Sequence, residues 1–235
     1  MKPVKAVFFD LYETLVTEFA DGKRLSNRKT DYAALLGLPN EAFKREWAAR
    51  QQRRMTGHFP DYYAVIADIA RERGLDVDPA NVERLYRDRC AEKELPFRRV
   101  RPDIPAMLGR LREEGMKLGL ISNCTEEEVR GWSGSPLAAL FDDALFSYEI
   151  GMAKPDRAIY LLGCERLSVL PEESIFVGDG GSGELEGARA AGMRPLHAFW
   201  YNTYVQSDAK KIGRPEELVR ELTGKAQDGD RSDEN

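Results

Sequence analysis

The stretch VFFDLYETLV, residues 7–16, decides the fold. Together with the residues before it, VKAVFFD is a short, continuous, β-rich apolar run, which reads as a buried strand. It ends in Asp10, and the chain then turns through Tyr12, Glu13 and Thr14. A carboxylate at the end of a buried strand is costly to desolvate unless it is paired or put to work.

Downstream, from about residue 26 to 94, the pattern is helical. RKTDYAALLG, NEAFKREWAARQQRRMTG, PDYYAVIADIARERG and DPANVERLYRDRCAEKE follow one another with no strand between them. Asn40 and Asp78 suit N-caps, Pro79 suits a first helical position, and Gly37, Gly57 and Gly74 are stop signals. After LPFRRVRPDI, helices and strands alternate: IPAMLGRLREEG, KLGLISN, EEEVRGW, ALFSYEIG (a strand), PDRAIYLLGCERL, SIFVGD, GELEGARAAG and MRPLHAFW. Such alternation implies an α/β fold, a doubly wound parallel sheet with helices on both faces. The expected organisation is a Rossmann-like core of residues 1–18 and 95–225, a helical cap of residues 19–94 inserted into it, and a polar, disordered tail at 226–235.

The bulk numbers bound the function. The chain has 235 residues, and its net charge of −5 favours neither nucleic acid nor an anionic membrane as a partner. No apolar stretch approaches a membrane span, and the N-terminus lacks a signal peptide's long apolar region. The basic runs RQQRR (50–54) and RDRC (87–90) sit among helix formers and read as solvated faces. The three cysteines lie far apart, which points to a reduced cytoplasm and no zinc site. The expected partner is a small-molecule substrate, and the expected state is a monomer or homodimer.

Polar residues gather at the carboxyl ends of strands, where open α/β sheets bind ligands. Asp10 follows AVFF, Ser122 and Asn123 follow LGLI, Asp179 follows SIFVG, and Lys154 stands just before Pro155. Asp10 would be a carboxylate nucleophile of the kind that forms an aspartyl-phosphate. Thr14 would orient it, and Ser122 with neighbouring backbone N–H groups would hold phosphoryl oxygens. Lys154 would neutralise charge. Asp179 and Glu184, five apart at a strand-to-helix loop, would hold a cation beside Asp10, and a hard ion such as Mg²⁺ suits that set. The backbone carbonyl of Tyr12 would join them as a metal ligand.

The combination of FFDLYETL, LISN, MAKPD and FVGDGGSGELEGARAAGM resembles the haloacid dehalogenase-like (HAD) hydrolase superfamily, over nearly the whole chain except the polar tail. The helical insertion resembles that superfamily's four-helix cap between the first and second motifs. The departure is at position 12. Family phosphatases usually carry there a second aspartate that protonates the leaving group and then activates water. Tyr12 instead resembles the metal-free 2-haloacid dehalogenases, as does Tyr160 six residues after Lys154. Asp179 and Gly181 stand where that branch has serine and asparagine, and by the pattern around Trp47 the place of its cap arginine falls on Ala48, with Arg50 or Arg53 as substitutes. The resemblance therefore implies a Mg²⁺-dependent phosphatase of a small metabolite. A 2-haloacid dehalogenase is the first alternative and a non-catalytic binding protein the second.

Arg54, His58 and Tyr62 lie where a cap would face the site and are candidate substrate contacts, with Tyr12 and Asn123 beside them, although exposure is the commoner fate of a residue such as His58. Thr125 and Glu128 have the spacing of a capping box, which makes that acidic cluster structural. Cys124 reads as a packing residue and His197 as core or edge.

Overall fold

The computed structural model describes residues 3–224; the 226–235 tail lies outside the described residues. Strand β1 (Ala6–Phe9) is followed by a short hairpin, β2 (Phe19–Ala20) and β3 (Lys23–Arg24). Helices α1 (Tyr32–Leu36), α2 (Asn40–Ala49), α3 (Gln51–Met55), α4 (Tyr62–Arg73) and α5 (Pro79–Arg98) come next. The remainder runs α6 (Asp103–Glu113), β4 (Lys117–Ser122), α7 (Glu126–Val129), β5 (Asp143–Phe146), α8 (Ser147–Ile150), α9 (Arg157–Arg166), β6 (Ser174–Gly178), α10 (Glu184–Ala190), β7 (Arg194–Ala198), β8 (Lys210–Ile212) and α11 (Pro215–Thr223).

Six strands form one parallel sheet in the order β5-β4-β1-β6-β7-β8. The chain winds outward from β1 in one direction, returns, and winds outward in the other, so the topological switch lies between β1 and β6. The pleat of β1 divides its side chains between two cores. Val7 and Phe9 join Ile104, Leu108 and Leu111 of α6 and Leu218 of α11 on one face. Ala6 and Phe8 join Ile159 and Tyr160 of α9 and Leu185 of α10 on the other. Burial on both faces explains why the strand sequences are continuously apolar and not alternating.

The α1–α5 segment has its own apolar cluster, built from Leu36, Phe43, Tyr62, Val65, Ile66, Ile69 and Leu85. Five helices stand where four were expected, because the backbone breaks at Arg50 (φ −98°, ψ 5°) and separates α2 from α3. The last of them also runs on through Pro96 to Arg98, past the expected boundary at residue 94. Asp78 caps α5 as expected, accepting from the Ala80 N–H at 2.8 Å. Asn40 does not cap α2; Pro39 takes that place, and the Asn40 amide instead ties down the preceding loop through Tyr32 N and Thr30 O. The stretch 144–151, expected to be strand throughout, is strand only to Phe146 and then turns into α8. The basic runs are not simply solvated faces. Arg50 is buried in ion pairs to Asp68 and Glu46, Arg89 pairs with Glu127 and Glu128, and Arg54 is buried as well. No described helix is long and apolar enough to cross a membrane.

Candidate active site

The switch between β1 and β6 brings Asp10 and Asp179 to neighbouring strand ends, because Phe9 pairs with Val177 in register. Glu184 opens α10 immediately beyond. One carboxylate oxygen from each of Asp10, Asp179 and Glu184 lies within 4.8 Å of the other two. Lys154, buried, bridges two of the three: its Nζ donates to Asp10 Oδ1 and, at 2.5 Å, to Glu184 Oε2. Asn123 fixes the Lys154 backbone from both sides. Its amide nitrogen donates to the Lys154 carbonyl at 2.8 Å, and its oxygen accepts from the Lys154 N–H at 2.7 Å. The Thr14 hydroxyl approaches Asp10 Oδ2 at 3.3 Å, and Trp200 Nε1 holds the Thr14 carbonyl at 2.8 Å. Ser122 closes β4 and is buried.

Burial raises the Asp10 carboxyl above the usual range, Lys154 opposes that rise, and Asp179 adds to it. Glu184 is pushed up to about 8, first by burial and then by the Asp10 charge, against the pull of Lys154. Burial alone would lower Lys154, but Asp10 and Glu184 overcome it and hold the ammonium charged. Three carboxylates thus face one lysine, an imbalance that a cation would relieve. Both Glu184 oxygens are already engaged, one by Lys154 and the other by the Gly180 N–H at 3.1 Å. Asp179 is held by the Gly181 N–H at 2.8 Å and by the Asn202 side chain at 2.7 Å.

Tyr12 belongs to a different network. Its hydroxyl donates to the Glu128 carbonyl at 2.5 Å, its ring meets Phe97 edge to face, and the Lys93 ammonium lies 5.1 Å from the ring centroid. Burial, then the Glu128 and Glu18 charges, raise its phenol well above the ordinary value. Beside it, the Glu128 carboxylate accepts from Arg89 at 2.7 Å and lies 3.4 Å from Lys93, tying α5 to α7.

His58 is exposed, with its ring nitrogen 2.7 Å from an Arg53 guanidinium nitrogen. Tyr62 packs in the helical cluster. Arg53 and Arg50 point at Asp68, so neither takes the place of a substrate-clamping cap arginine by the contacts it makes. Arg54 is buried, with its guanidinium 4.0 Å from the centre of the Trp47 ring. Sequence reasoning did not find Asn202 or Trp200. Both follow β7, and the rule that placed Asp10 and Asp179, polar groups just past strand ends, would have pointed to Asn202.

Comparison with known proteins agrees with this geometry. The family model for haloacid dehalogenase-like hydrolases matches residues 4–192, so the chain belongs to that family of hydrolases. The glyceraldehyde 3-phosphate phosphatase of Methanopyrus kandleri is 28% identical, with 93% of this chain and 98% of that protein covered. The (S)-2-haloacid dehalogenase 1 of Pseudomonas sp. (strain CBS-3) is 27% identical, covering 83% and 85%. Among solved structures, a HAD phosphatase from Thermococcus onnurineus superposes with a TM-score of 0.64 at 24% identity, covering 94% of this chain and 99% of that one. A 2-haloacid dehalogenase from Pseudomonas syringae gives 0.66 at 22%, covering 93% and 98%. Those two share the fold with this chain.

Proposed function

We propose that the protein is a Mg²⁺-dependent phosphatase of a small phosphorylated metabolite. The observation that carries this reading is the meeting of Asp10, Asp179 and Glu184 around one point, with a single lysine to balance them. Asp10, Asp179 and the Tyr12 carbonyl would hold the ion, with Glu184 direct or behind them. The ion would offset negative charge on the phosphoryl oxygens.

Asp10 attacks phosphorus, the bond to the leaving oxygen breaks, and that oxygen departs with the electron pair and takes a proton from water. Lys154 keeps Asp10 ionised despite its burial and offsets the charge gathering on the phosphoryl group. Ser122 and nearby backbone N–H groups hold the phosphoryl oxygens, and Thr14 and Asn123 orient Asp10 and Lys154. Water then attacks phosphorus in the aspartyl-phosphate, releasing inorganic phosphate and restoring the carboxylate. The phenol of Tyr12 is committed to the Glu128 carbonyl, so no side chain replaces the acid–base aspartate of family phosphatases at this position.

Tyr12 supports a second reading, dehalogenation. There Asp10 attacks carbon, the carbon–halogen bond breaks, and water hydrolyses the resulting ester. Phosphate release with Mg²⁺ and with chelator, run beside halide release from 2-chloropropionate, separates the two. Equal phosphatase activity in chelator would overturn the metal assignment. Halide release without any phosphate release would overturn the phosphatase.

A further inference from the structure

Both oxygens of Asp179 accept hydrogen bonds, and the two donors come from different elements. The Gly181 N–H, two residues on in the same turn, donates to Oδ1 at 2.8 Å. Asn202 Nδ2, from the loop of residues 199–209 between β7 and β8, donates to Oδ2 at 2.7 Å. The first bond moves with the turn that carries Asp179. The second ties the carboxylate to a separate part of the chain, so the group cannot rotate about its Cβ–Cγ bond without giving up a donor.

Asn202 is itself held in one orientation. Its Oδ1 accepts from the Tyr204 N–H at 3.1 Å. A backbone N–H can only donate, so the amide oxygen must face Tyr204 and the amide nitrogen must face Asp179. An aspartate would serve that local turn as well, but it would set a fourth carboxylate against Asp10, Asp179 and Glu184. The amide is therefore matched to Asp179 and not only to its own turn.

The rest of the loop is anchored independently. Trp200 Nε1 donates to the Thr14 carbonyl at 2.8 Å, the Arg101 guanidinium lies 4.9 Å from the centre of the Tyr201 ring, and the Ser207 hydroxyl lies 2.9 Å from His197 Nδ1. Val205 packs so closely on Gly180 that a Cβ added there would come to 2.9 Å from Val205 Cγ1. The loop thus grips both walls of the site, the turn after β1 and the turn after β6. We propose that Asn202 is a positioning residue, which sets the orientation in which Asp179 presents its oxygens and so favours an ion of strict geometry. The bearing on an ion rests on the Mg²⁺ reading above, whereas the holding of Asp179 by Asn202 stands without it.

Two substitutions separate this role from that of a turn residue. Asn202→Ser keeps a side-chain oxygen for the Tyr204 N–H but is too short to reach Asp179; Asn202→Leu has a similar shape and loses both bonds. Mn²⁺, read by electron paramagnetic resonance of the free ion, is the probe for an octahedral site, and Ca²⁺, read by its displacement of Mn²⁺, tolerates irregular ligands. Both variants should bind Mn²⁺ about 10- to 100-fold more weakly, and Ca²⁺ less than about threefold more weakly. Normal Mn²⁺ affinity in Asn202→Ser, or equal losses for the two ions, would overturn the proposal. Amide hydrogen exchange at residues 179–183 supplies a readout that needs no metal. It should quicken at least about tenfold in both variants, with exchange in β6 unchanged. If the wild type binds no Mn²⁺, the exchange alone decides: dependence on Asn202 leaves its hold on Asp179 standing while the metal reading fails, and unchanged exchange removes both. Asn202 is half-buried on a loop, and should Asn202→Leu not fold, Asn202→Ser carries the test by itself.

Discussion

Asp10 and Tyr12 are two residues apart and have opposite fates. Asp10 sits among charges, and Asp10→Asn should abolish turnover while leaving the circular dichroism spectrum unchanged, because the amide has the same shape but is a poor nucleophile. Tyr12 faces away, bonded to the Glu128 carbonyl. Tyr12→Phe should cost about 1 kcal/mol of stability through the lost hydrogen bond. It should change turnover less than about threefold, where loss of a working acid or base would cost ~100-fold or more. A large drop in kcat with normal stability would return the phenol to the chemistry. The motif showed that position 12 departs from the phosphatase pattern, but not where the ring goes, because that depends on Phe97, Lys93 and Glu128, which lie far away in the sequence.

At the level of elements, the helical segment meets the sheet unit through α5 against α7 and α3 against α8, among other places. One is Gly57, just past α3, with φ +67°, where an added Cβ would overlap the Tyr148 carbonyl oxygen. Gly37, after α1, has nearly the same φ, +68°, with nothing within 4 Å of its would-be Cβ. Alanine at Gly37 should therefore cost only the left-handed strain, about 1–2 kcal/mol, and alanine at Gly57 distinctly more. Urea unfolding of the two variants checks this, and equal midpoints would show that the contact yields freely. The periodic elements were legible in the sequence: β1, α4, α5, α6, β4, α9, β6, α10 and β7 all stand close to where apolar patterning places them. Short pieces were not. The break at Arg50 goes with its ion pair to Asp68 on α4, a partner 18 residues away that local patterning does not show. The sequence reading stopped at β7, and β8 and α11 were left unassigned.

Across the whole molecule, the two units are stitched by charge. Although burial alone would raise it, Lys93 and Arg89 bring Glu128 down to about 2. A carboxyl held below its unfolded value, 4.5, stabilises the folded state fully above pH 4.5, and that contribution disappears as pH falls through about 2. Relative to Glu128→Gln, the wild type should gain on the order of 3 kcal/mol near pH 6, with the gap closing between pH 4.5 and 2. A pH-independent gap in denaturant melts would place the effect in packing. The clustered carboxylates were legible because Asp10 and Asp179 stand just past strand ends and Glu184 follows at the start of the next helix. Arg54 was legible as a cap residue, but its burial over the Trp47 ring shows only in three dimensions.

The place of β1 bears on how the chain reaches this state. It precedes the strands that flank it, yet it lies at the centre of the sheet, and its partners, Leu120 and Val177 opposite Phe9, come more than a hundred residues later. The helices between them contact one another locally. During synthesis β1 therefore waits, an apolar strand with two open edges, while α1–α5 can collapse on their own cluster. Non-local pairing is slow, so refolding after dilution from denaturant should show two phases. Far-ultraviolet helix signal should return early. Phosphate-ester or haloacid turnover should return late, with the closing of β1 between β4 and β6.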